Sequence, residues 1–500
     1  MKREQLRILL IEPPFYRLFK DTYSSGWYPL SLGYLAAMIM KKTNWNVKVY
    51  NADFVPRSEK IKISYLTSTG FDKYLNSLQD LSRPVWKEIK SIISMYKPTV
   101  VGISAKSPNF ASVCILAKFS KEIDKKIIVI VGGPHPSSVG SEVLQSPDID
   151  ICVKGEGENT IIELLNAIET QKKFDDIKGI IYRKNSHVIE NPPREFIKNL
   201  DSLYFPHESA PKVLIDYNQY PIQAFSYIMA TRGCHYNCFF CGSHKIWSRK
   251  VRFRSPVNIV REIKGLQKKG LKLVRFIDDT FGVNRQYIND LCSTIKKYCP
   301  GLKWSCLFHV RLVDSQTISL MKEAGCCSIE IGIESGNNEI LKVMRKCITI
   351  EEALSACSII KNHGIDVYAD FMVGFPQETE DTLSDTLAAM RKIQCDRFIY
   401  SIFTPYPGTE AFTYLRENGL INDTYDSSLH FHQSPANYFC INITPERFRM
   451  LVSKIEKIVD RKNRIYTMKQ IFSLNTIMRG IQEQGVKNSL IRGIRLFVGK

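Results

Sequence analysis

Short apolar runs rich in β-branched residues recur along most of this chain, each separated from the next by an amphipathic stretch. That alternation limits the fold to layered α/β architectures, because it supplies strands and crossover helices by turns. In the first 171 residues the runs are 6–11 (LRILLI), 47–50, 99–104 (TVVGIS), 127–131 (IIVIV) and 149–153. They are continuous rather than alternating, as in strands buried on both faces of a parallel sheet. Residues 29–42, 108–123 and 159–170 read as helices between them. A doubly wound, Rossmann-like α/β domain over 1–171 is the expectation. Residues 54–85 fit the beat poorly and read as an insertion or strapped loop. Residues 172–222, with Pro192-Pro193, Phe205-Pro206 and Tyr220-Pro221, read as a linker in which 179–183 is a candidate strand finishing the first sheet.

The beat restarts at Tyr227, with strands expected at 227–231, 273–277, 303–307, 328–333, 366–373 and 397–403. Helix signals fall between them. Ser255-Pro256 is an N-cap followed by proline at the first helical position, and Gly270 closes that helix. Thr349-Ile350-Glu351-Glu352 is a capping box, and Gly364 is placed to end its helix. Six strand–helix units over 223–420 predict a partial (β/α)6 barrel of the TIM type, two units short of a closed one. Residues 421–500 read as a helical C-terminal region. Thr444-Pro445 starts it, and Phe448, Leu451, Val452, Ile455, Ile458 and Val459 form a stripe at helical spacing. Hydrophobic residues at 44% and charged residues at 24% exclude a disordered or collagen-like chain. No apolar run approaches the roughly 20 residues of a membrane span, and the start lacks the form of a signal peptide. A cytoplasmic protein is expected.

Fourteen cysteines in a reducing compartment stay free, bind metal or do chemistry. Cys114, Cys152, Cys292, Cys299, Cys306, Cys347, Cys357, Cys395 and Cys440 are scattered singly, and they read as small buried hydrophobes, as does the pair Cys326-Cys327. Cys234, Cys238 and Cys241 differ. They follow the first barrel strand within Thr231-Arg232-Gly233-Cys234-His235-Tyr236-Asn237-Cys238-Phe239-Phe240-Cys241. Three thiolates so spaced suit a tight loop around an iron–sulfur cubane, leaving one iron open to a substrate or cofactor. Structural zinc, with His235 or a remote cysteine as fourth ligand, is the competing assignment, although it more often uses two separated ligand pairs.

The CxxxCxxC loop, with Phe240 before its last cysteine, resembles that of the radical S-adenosylmethionine (SAM) superfamily. Phe276-Ile277-Asp278-Asp279-Thr280-Phe281, Ile331-Gly332-Ile333-Glu334-Ser335-Gly336, Met372-Val373-Gly374-Phe375-Pro376 and Thr404-Pro405-Tyr406-Pro407-Gly408-Thr409 fall at later strand ends in the same order as in that family. The resemblance spans about 225–420. It implies a [4Fe-4S] cluster on Cys234, Cys238 and Cys241 that cleaves SAM to a 5′-deoxyadenosyl radical. It also implies SAM contacts from Phe240 near the adenine, from Asp278, from Glu334 and Ser335 at the ribose or methionine part, and from Arg311 or Arg345 at the carboxylate. An external one-electron reductant of flavodoxin or ferredoxin type is implied as well.

In the first domain the strand ends carry Glu12-Pro13-Pro14, Ser104-Ala105-Lys106, Gly132-Gly133-Pro134-His135-Pro136 and Gly155-Glu156-Gly157-Glu158. Glycines there allow close backbone approach to a bulky ligand. No GxGxxG follows the first strand, which disfavours a dinucleotide. The set is similar to the cobalamin-binding domain that precedes the barrel in one radical SAM subfamily, and Pro29-Leu30-Ser31-Leu32-Gly33-Tyr34-Leu35-Ala36 matches its first helix. That similarity implies cobalamin contacts from Pro13, Pro14, Ser104, Ala105, Lys106, Gly133, Pro134, His135, Gly155, Glu156 and Gly157. The Asp-x-His-x-x-Gly motif that supplies a histidine to cobalt in other cobalamin domains is absent. His135 stands in a different loop and is not assigned to cobalt. Methylthiotransferases bring three more cysteines in their first domain, whereas this one has Cys114 and Cys152 alone.

The resemblance implies a class B-like, cobalamin-dependent radical SAM methyltransferase acting on an unactivated carbon of a small-molecule or lipid substrate. One SAM recharges cobalamin with methyl and a second supplies the radical. Carbon–carbon bond or ring formation on a lipid or tetrapyrrole is the alternative within the family, and a non-catalytic cobalamin or tetrapyrrole sensor the alternative outside it. The net charge of +19 suggests an anionic partner. Residues 447–500 alone carry +10 of it. Further stripes there, Ile471, Leu474, Ile477, Met478 and Ile481, then Leu490, Ile491, Ile494, Phe497 and Val498 beside Arg492 and Arg495, suit a membrane surface. A solvated face on helices docked to the barrel is the plainer account. No RNA-binding module is recognisable, so nucleic acid is disfavoured.

Overall fold

A computed structural model describes residues 6–59, 61–184 and 187–471. The first sheet holds β1 (Arg7–Glu12), β2 (Asn46–Asn51), β3 (Val100–Ser104), β4 (Ile128–Gly132), β5 (Ile151–Val153), β6 (Ile180–Lys184) and β7 (His187–Glu190), in the order β2-β1-β3-β4-β5-β6-β7. The first five are parallel, and β6 and β7 close the edge as antiparallel strands. Helices Leu30–Lys42 and Gly157–Glu169 cover one face. Helices Pro84–Tyr96 and Phe110–Ile123 cover the other through Trp86, Ile89, Leu116 and Phe119. Burial on both faces is why the strands are uniformly apolar. Residues 54–85 contain helices Ile63–Leu66 and Thr69–Gln79, and the β2–β3 crossover begins at Pro84.

The second sheet is wholly parallel, with β8 (Tyr227–Ile228), β11 (Leu273–Phe276), β12 (Lys303–Phe308), β13 (Cys326–Glu334), β14 (Asp366–Val373) and β15 (Arg397–Ile402) neighbouring one another in chain order. Sequential parallel order with a helix after each strand makes this the six-unit partial barrel. Between β8 and β11, a two-stranded antiparallel ribbon pairs β9 (Thr231–Arg232) with β10 (Arg252–Phe253). The helix signals are realised: Ser255 Oγ accepts the Asn258 N–H at 3.2 Å, and Thr349 and Glu352 form a reciprocal capping box. One continuous apolar core runs from the first sheet through residues 200–230 into the barrel.

Helix Pro445–Ile471 starts where Thr444-Pro445 predicts, and Phe448, Leu451, Val452, Ile455 and Val459 are buried against the barrel. The side chain of Ile471 and the stripes from Leu474 to Val498 lie outside the described residues. Among the described residues no helix is long and apolar enough to cross a membrane. Most scattered cysteines are buried, but Cys347 is exposed and corrects its assignment as a small core residue. It follows helix Asn338–Val343 at a left-handed turn, φ +58°, which leaves the side chain outside.

Candidate active site

The carboxyl ends of the two sheets face each other across two cavities, and Arg232 and Gly242, which flank the cysteine loop, are among the lining residues. The expected strand 227–231 divides into β8 and β9 for a reason seen in one side chain. Asp278, just beyond β11, accepts the N–H of Ala230 at 3.0 Å, the N–H of Thr231 and the hydroxyl of Thr231 at 2.8 Å, all on Oδ1. The backbone is thereby drawn off the ladder and turned toward Cys234. The Oδ2 of Asp278 is buried without a partner, and burial pushes this carboxyl up to about 7.

The three cysteines are half-buried and free. Cys234 Sγ lies 3.3 Å from Thr280 Oγ1. Burial raises the thiol of Cys238 to about 12, with smaller contributions from Cys241 and Cys234, and it also raises Cys241. Among the described residues no closed shell of ligands for a single ion forms, and the corners of a cubane do hold their thiolates farther apart than one ion does. Phe240 packs into the cluster of Ile340, Met344, Met372 and Phe375 behind the loop.

At the end of β13 a bulge between Gly332 and Glu334 sets Glu334 at φ +71°. Its carboxylate accepts from Lys346 Nζ at 2.7 Å. Lys346 is 9% exposed. Burial works against its charge, but Glu334 and the neighbouring Cys238 and Asp370 outweigh that and raise its pKa. Asp370 leaves a buried Oδ1 unpartnered, and burial together with Glu330 and Glu334 holds its carboxyl well above the usual range. The barrel mouth beside the cysteines thus offers unmet acceptors, Asp370 Oδ1 and Asp278 Oδ2, and one buried ammonium. Such a site suits a zwitterionic ligand bearing both donors and a carboxylate.

Two cavities occupy the cleft. One of 430 Å³ has a floor of Leu10, Gly102, Ile130 and Val153 from the first sheet and a wall of Thr231, Arg232, Ile277 and Asp278 from the barrel. Ser104, Gly133, Gly155, Glu156 and Gly157 border it. Gly155, at φ +69°, has nothing within 4 Å of where a Cβ would stand, so the backbone itself forms an open cradle. The other, of 690 Å³, is lined by Glu12, Pro13 and Tyr16 on one side and Tyr227, Gly242 and Ile246 on the other. Lys106, Pro134, Ile246 and Ile277 border both. Lys106 points into this space and pairs with Glu12 at 2.8 Å.

A buried ion-pair cluster joins the domains beside the smaller cavity. Arg232, 3% exposed, reaches Glu156 at 2.7 Å and Glu158 at 2.5 Å, and lies over the rings of Tyr34 and Trp247. Arg252 adds a second pair to Glu156 at 2.8 Å, and the N–H of Ile197 donates to the same carboxylate.

Several residues named from the sequence stand apart from this geometry. Ser335 is fully buried and faces Thr386 and the Asn337 N–H. Arg345 is exposed and paired with Glu410 at 2.7 Å, while Arg311 is exposed at the edge of a groove with Glu351 and Glu352. His135 lies behind its loop, bonded to Ser107 at 3.1 Å and packed on Phe110, and burial lowers it to about 4. Ala105 and Pro14 spend their carbonyls on His135 N–H and the Ser112 hydroxyl. Glu156 borders the cavity, but both its oxygens are taken by the domain junction. Lys346, Asp370 and Arg232 were not anticipated. Only Arg232 carried a sequence signal, its place two residues before Cys234.

Two family models match the chain: the B12 binding domain over residues 16–165 and the Radical SAM superfamily over residues 228–390. An uncharacterized methyltransferase of Pyrococcus horikoshii is 29% identical over 83% of this chain and 84% of its own length. An anaerobic magnesium-protoporphyrin IX monomethyl ester cyclase of Rubrivivax gelatinosus is 27% identical over 65% of this chain and 60% of its own. The structure of the radical SAM methyltransferase TsrM of Kitasatospora setae, with cobalamin and a [4Fe-4S] cluster bound, shares the fold with a TM-score of 0.72. That match covers 98% of this chain and 100% of that one at 14% identity. A radical SAM domain works with a [4Fe-4S] cluster and SAM, and a B12-binding domain with cobalamin. The free cysteine loop, the unmet polar atoms at the barrel mouth and the glycine cradle at the strand ends fit these three groups. The chain is a radical SAM enzyme with an N-terminal B12-binding domain, and its relatives include methyltransferases and a cyclase.

Proposed function

We propose that the protein transfers a methyl group to an unactivated carbon of a small-molecule or lipid substrate, using electrons from an external one-electron donor. The observation that carries this reading is the pair of cavities with shared walls. Arg232 and Gly242, which flank the cysteine loop, and the strand ends of the first domain border these joined spaces, so a substrate there would lie between the two cofactor sites. When bound, the cluster with SAM supplies a hydrogen-abstracting radical and cobalamin supplies the methyl group.

The chain's own residues hold and orient these groups. Cys234, Cys238 and Cys241 hold the cluster. Lys346 would meet the carboxylate of SAM, and Glu334, Asp370 and Asp278 would receive its donors, with Phe240 backing the loop. Ser104, Gly133, Pro134, Gly155 and Gly157 shape the cobalamin side. The mainly apolar walls of both cavities would limit water at the radical steps.

The purified protein, reconstituted and reduced, is expected to form 5′-deoxyadenosine from SAM. Cys238→Ala formation at the wild-type rate would sink the proposal. Cells fed methyl-labelled methionine, with and without the protein, then separate two outcomes by untargeted lipid and metabolite mass spectrometry. A labelled, protein-dependent product supports methyl transfer. An unlabelled one supports ring formation, the reaction class named by the Rubrivivax relative.

A further inference from the structure

The larger cavity extends well past the cofactor-facing walls, and its far end is built by parts of the chain that the cofactor sites do not use. Helix Tyr16–Phe19 contributes Phe15, Tyr16 and Phe19, the 54–85 insertion contributes Leu66, and the loop after the barrel contributes Phe431. Phe431 stands edge-on to Phe15 and Phe19, at 5.8 and 5.3 Å between ring centres. Tyr74, from the insertion, stacks on Phe19 at 4.8 Å and donates its hydroxyl to the Ser428 carbonyl at 2.8 Å. The insertion and the post-barrel loop are thereby fastened together around this end. Interlocked rings make a stiff, flat-faced wall that loses little entropy on binding, which favours a rigid ring system over a flexible chain.

The charges lining the cavity contrast with the chain as a whole. Against a net +19, Lys106 is the sole Lys or Arg among the described lining residues, and its ammonium is committed to Glu12. Asp53 is the other ionisable acid on the wall. It is buried and held by the N–H groups of Phe15 at 2.8 Å and Arg17 at 3.0 Å. Burial lowers the pKa of His432 and so disfavours its charged form. An anionic ligand would find no free cation here and two carboxyls nearby. We propose that this cavity takes an uncharged, ring-bearing apolar substrate, selected at the end formed by Phe15, Phe19, Leu66 and Phe431. This deepens the methyl-transfer reading and rests on it only for calling the ligand a substrate.

Equilibrium dialysis of the cluster- and cobalamin-loaded protein tests the idea with two probes, 1-pyrenebutanol and 1-pyrenebutyrate. The alcohol should bind saturably at one equivalent, and roughly tenfold more tightly than the carboxylate. Leu66→Trp, which fills the space, and Phe431→Ala, which opens the wall, should each weaken the alcohol roughly tenfold while the melting transition stays cooperative. The second variant serves if the first does not fold. Absence of saturable binding, equal or tighter binding of the carboxylate, or insensitivity to whichever variant folds overturns the proposal. So does saturable binding of the alcohol only to protein loaded with cluster but not with cobalamin, since the aromatic end would then belong to the cofactor. A protein that cleaves SAM but binds neither probe loses this inference alone, and one that binds the alcohol but never transfers methyl loses the functional reading alone.

Discussion

Adjacent residues at the cluster loop's edge have opposite fates. Arg345 turns outward to Glu410, whereas Lys346 runs inward to Glu334 beside Cys238. A buried ammonium with one carboxylate partner and unmet acceptors close by is poised for a charged ligand. Lys346→Met should weaken SAM binding about tenfold or more, and Arg345→Ala should change it by less than about twofold, as read by calorimetry on the cluster-loaded protein. Glu378 shows a purely structural use of a buried acid. Its Oε2 accepts the N–H groups of Gly374 at 2.5 Å and Phe375 at 3.0 Å, while Oε1 is unpartnered. Burial raises it from 4.5 to about 8, although those two bonds pull the other way. Between these values the folded protein holds a proton that the unfolded chain releases. Stability should therefore fall as pH rises from about 4.5 to about 8, by about 1.4 kcal/mol per unit at most. Urea titrations at pH 6 and pH 8 should show Glu378→Gln losing less than wild type.

Helices and strands were legible to the degree that their signals are local. The continuous β-branched runs marked every parallel strand of the first sheet, because burial on both faces leaves its trace in consecutive residues. Caps at Ser255 and Thr349 were equally local. The break between β8 and β9 was not, because it is imposed by Asp278, 47 residues beyond Thr231. The inward course of Lys346 depends on a bulge in β13 that no spacing encodes. The aromatic end of the large cavity draws on Phe15, Leu66 and Phe431, which share no period. The C-terminal helix was legible as a stripe, but its mate was not. Phe448 sits over Gly374 at the end of β14, where an added Cβ would lie 2.8 Å from the ring and φ is +87°. Gly374→Ala should cost about 1–3 kcal/mol in urea unfolding by prising that helix from the barrel.

At the scale of the whole molecule, the two domains share one apolar core and are pinned by Arg232 on Glu156 and Glu158. Removing the guanidinium leaves two carboxylates buried, with Arg252 as the remaining partner of Glu156. Arg232→Met should destabilise the fold by about 3–5 kcal/mol, seen as a lowered urea midpoint, while Arg232→Lys, which keeps the charge but not the planar fork, should recover part of it. The +10 carried by residues 447–500 is only partly placed: the stripe from Phe448 to Val459 is spent on the barrel and is not free for a lipid surface. The junction also bears on time. Glu156 sits in the loop that borders the smaller cavity, so the contact that joins the domains is fastened to that cavity's rim. A bulky ligand filling the cavity would leave only as fast as that charge cluster opens. Its residence time would then be set by Arg232, two residues from the first cysteine of the loop.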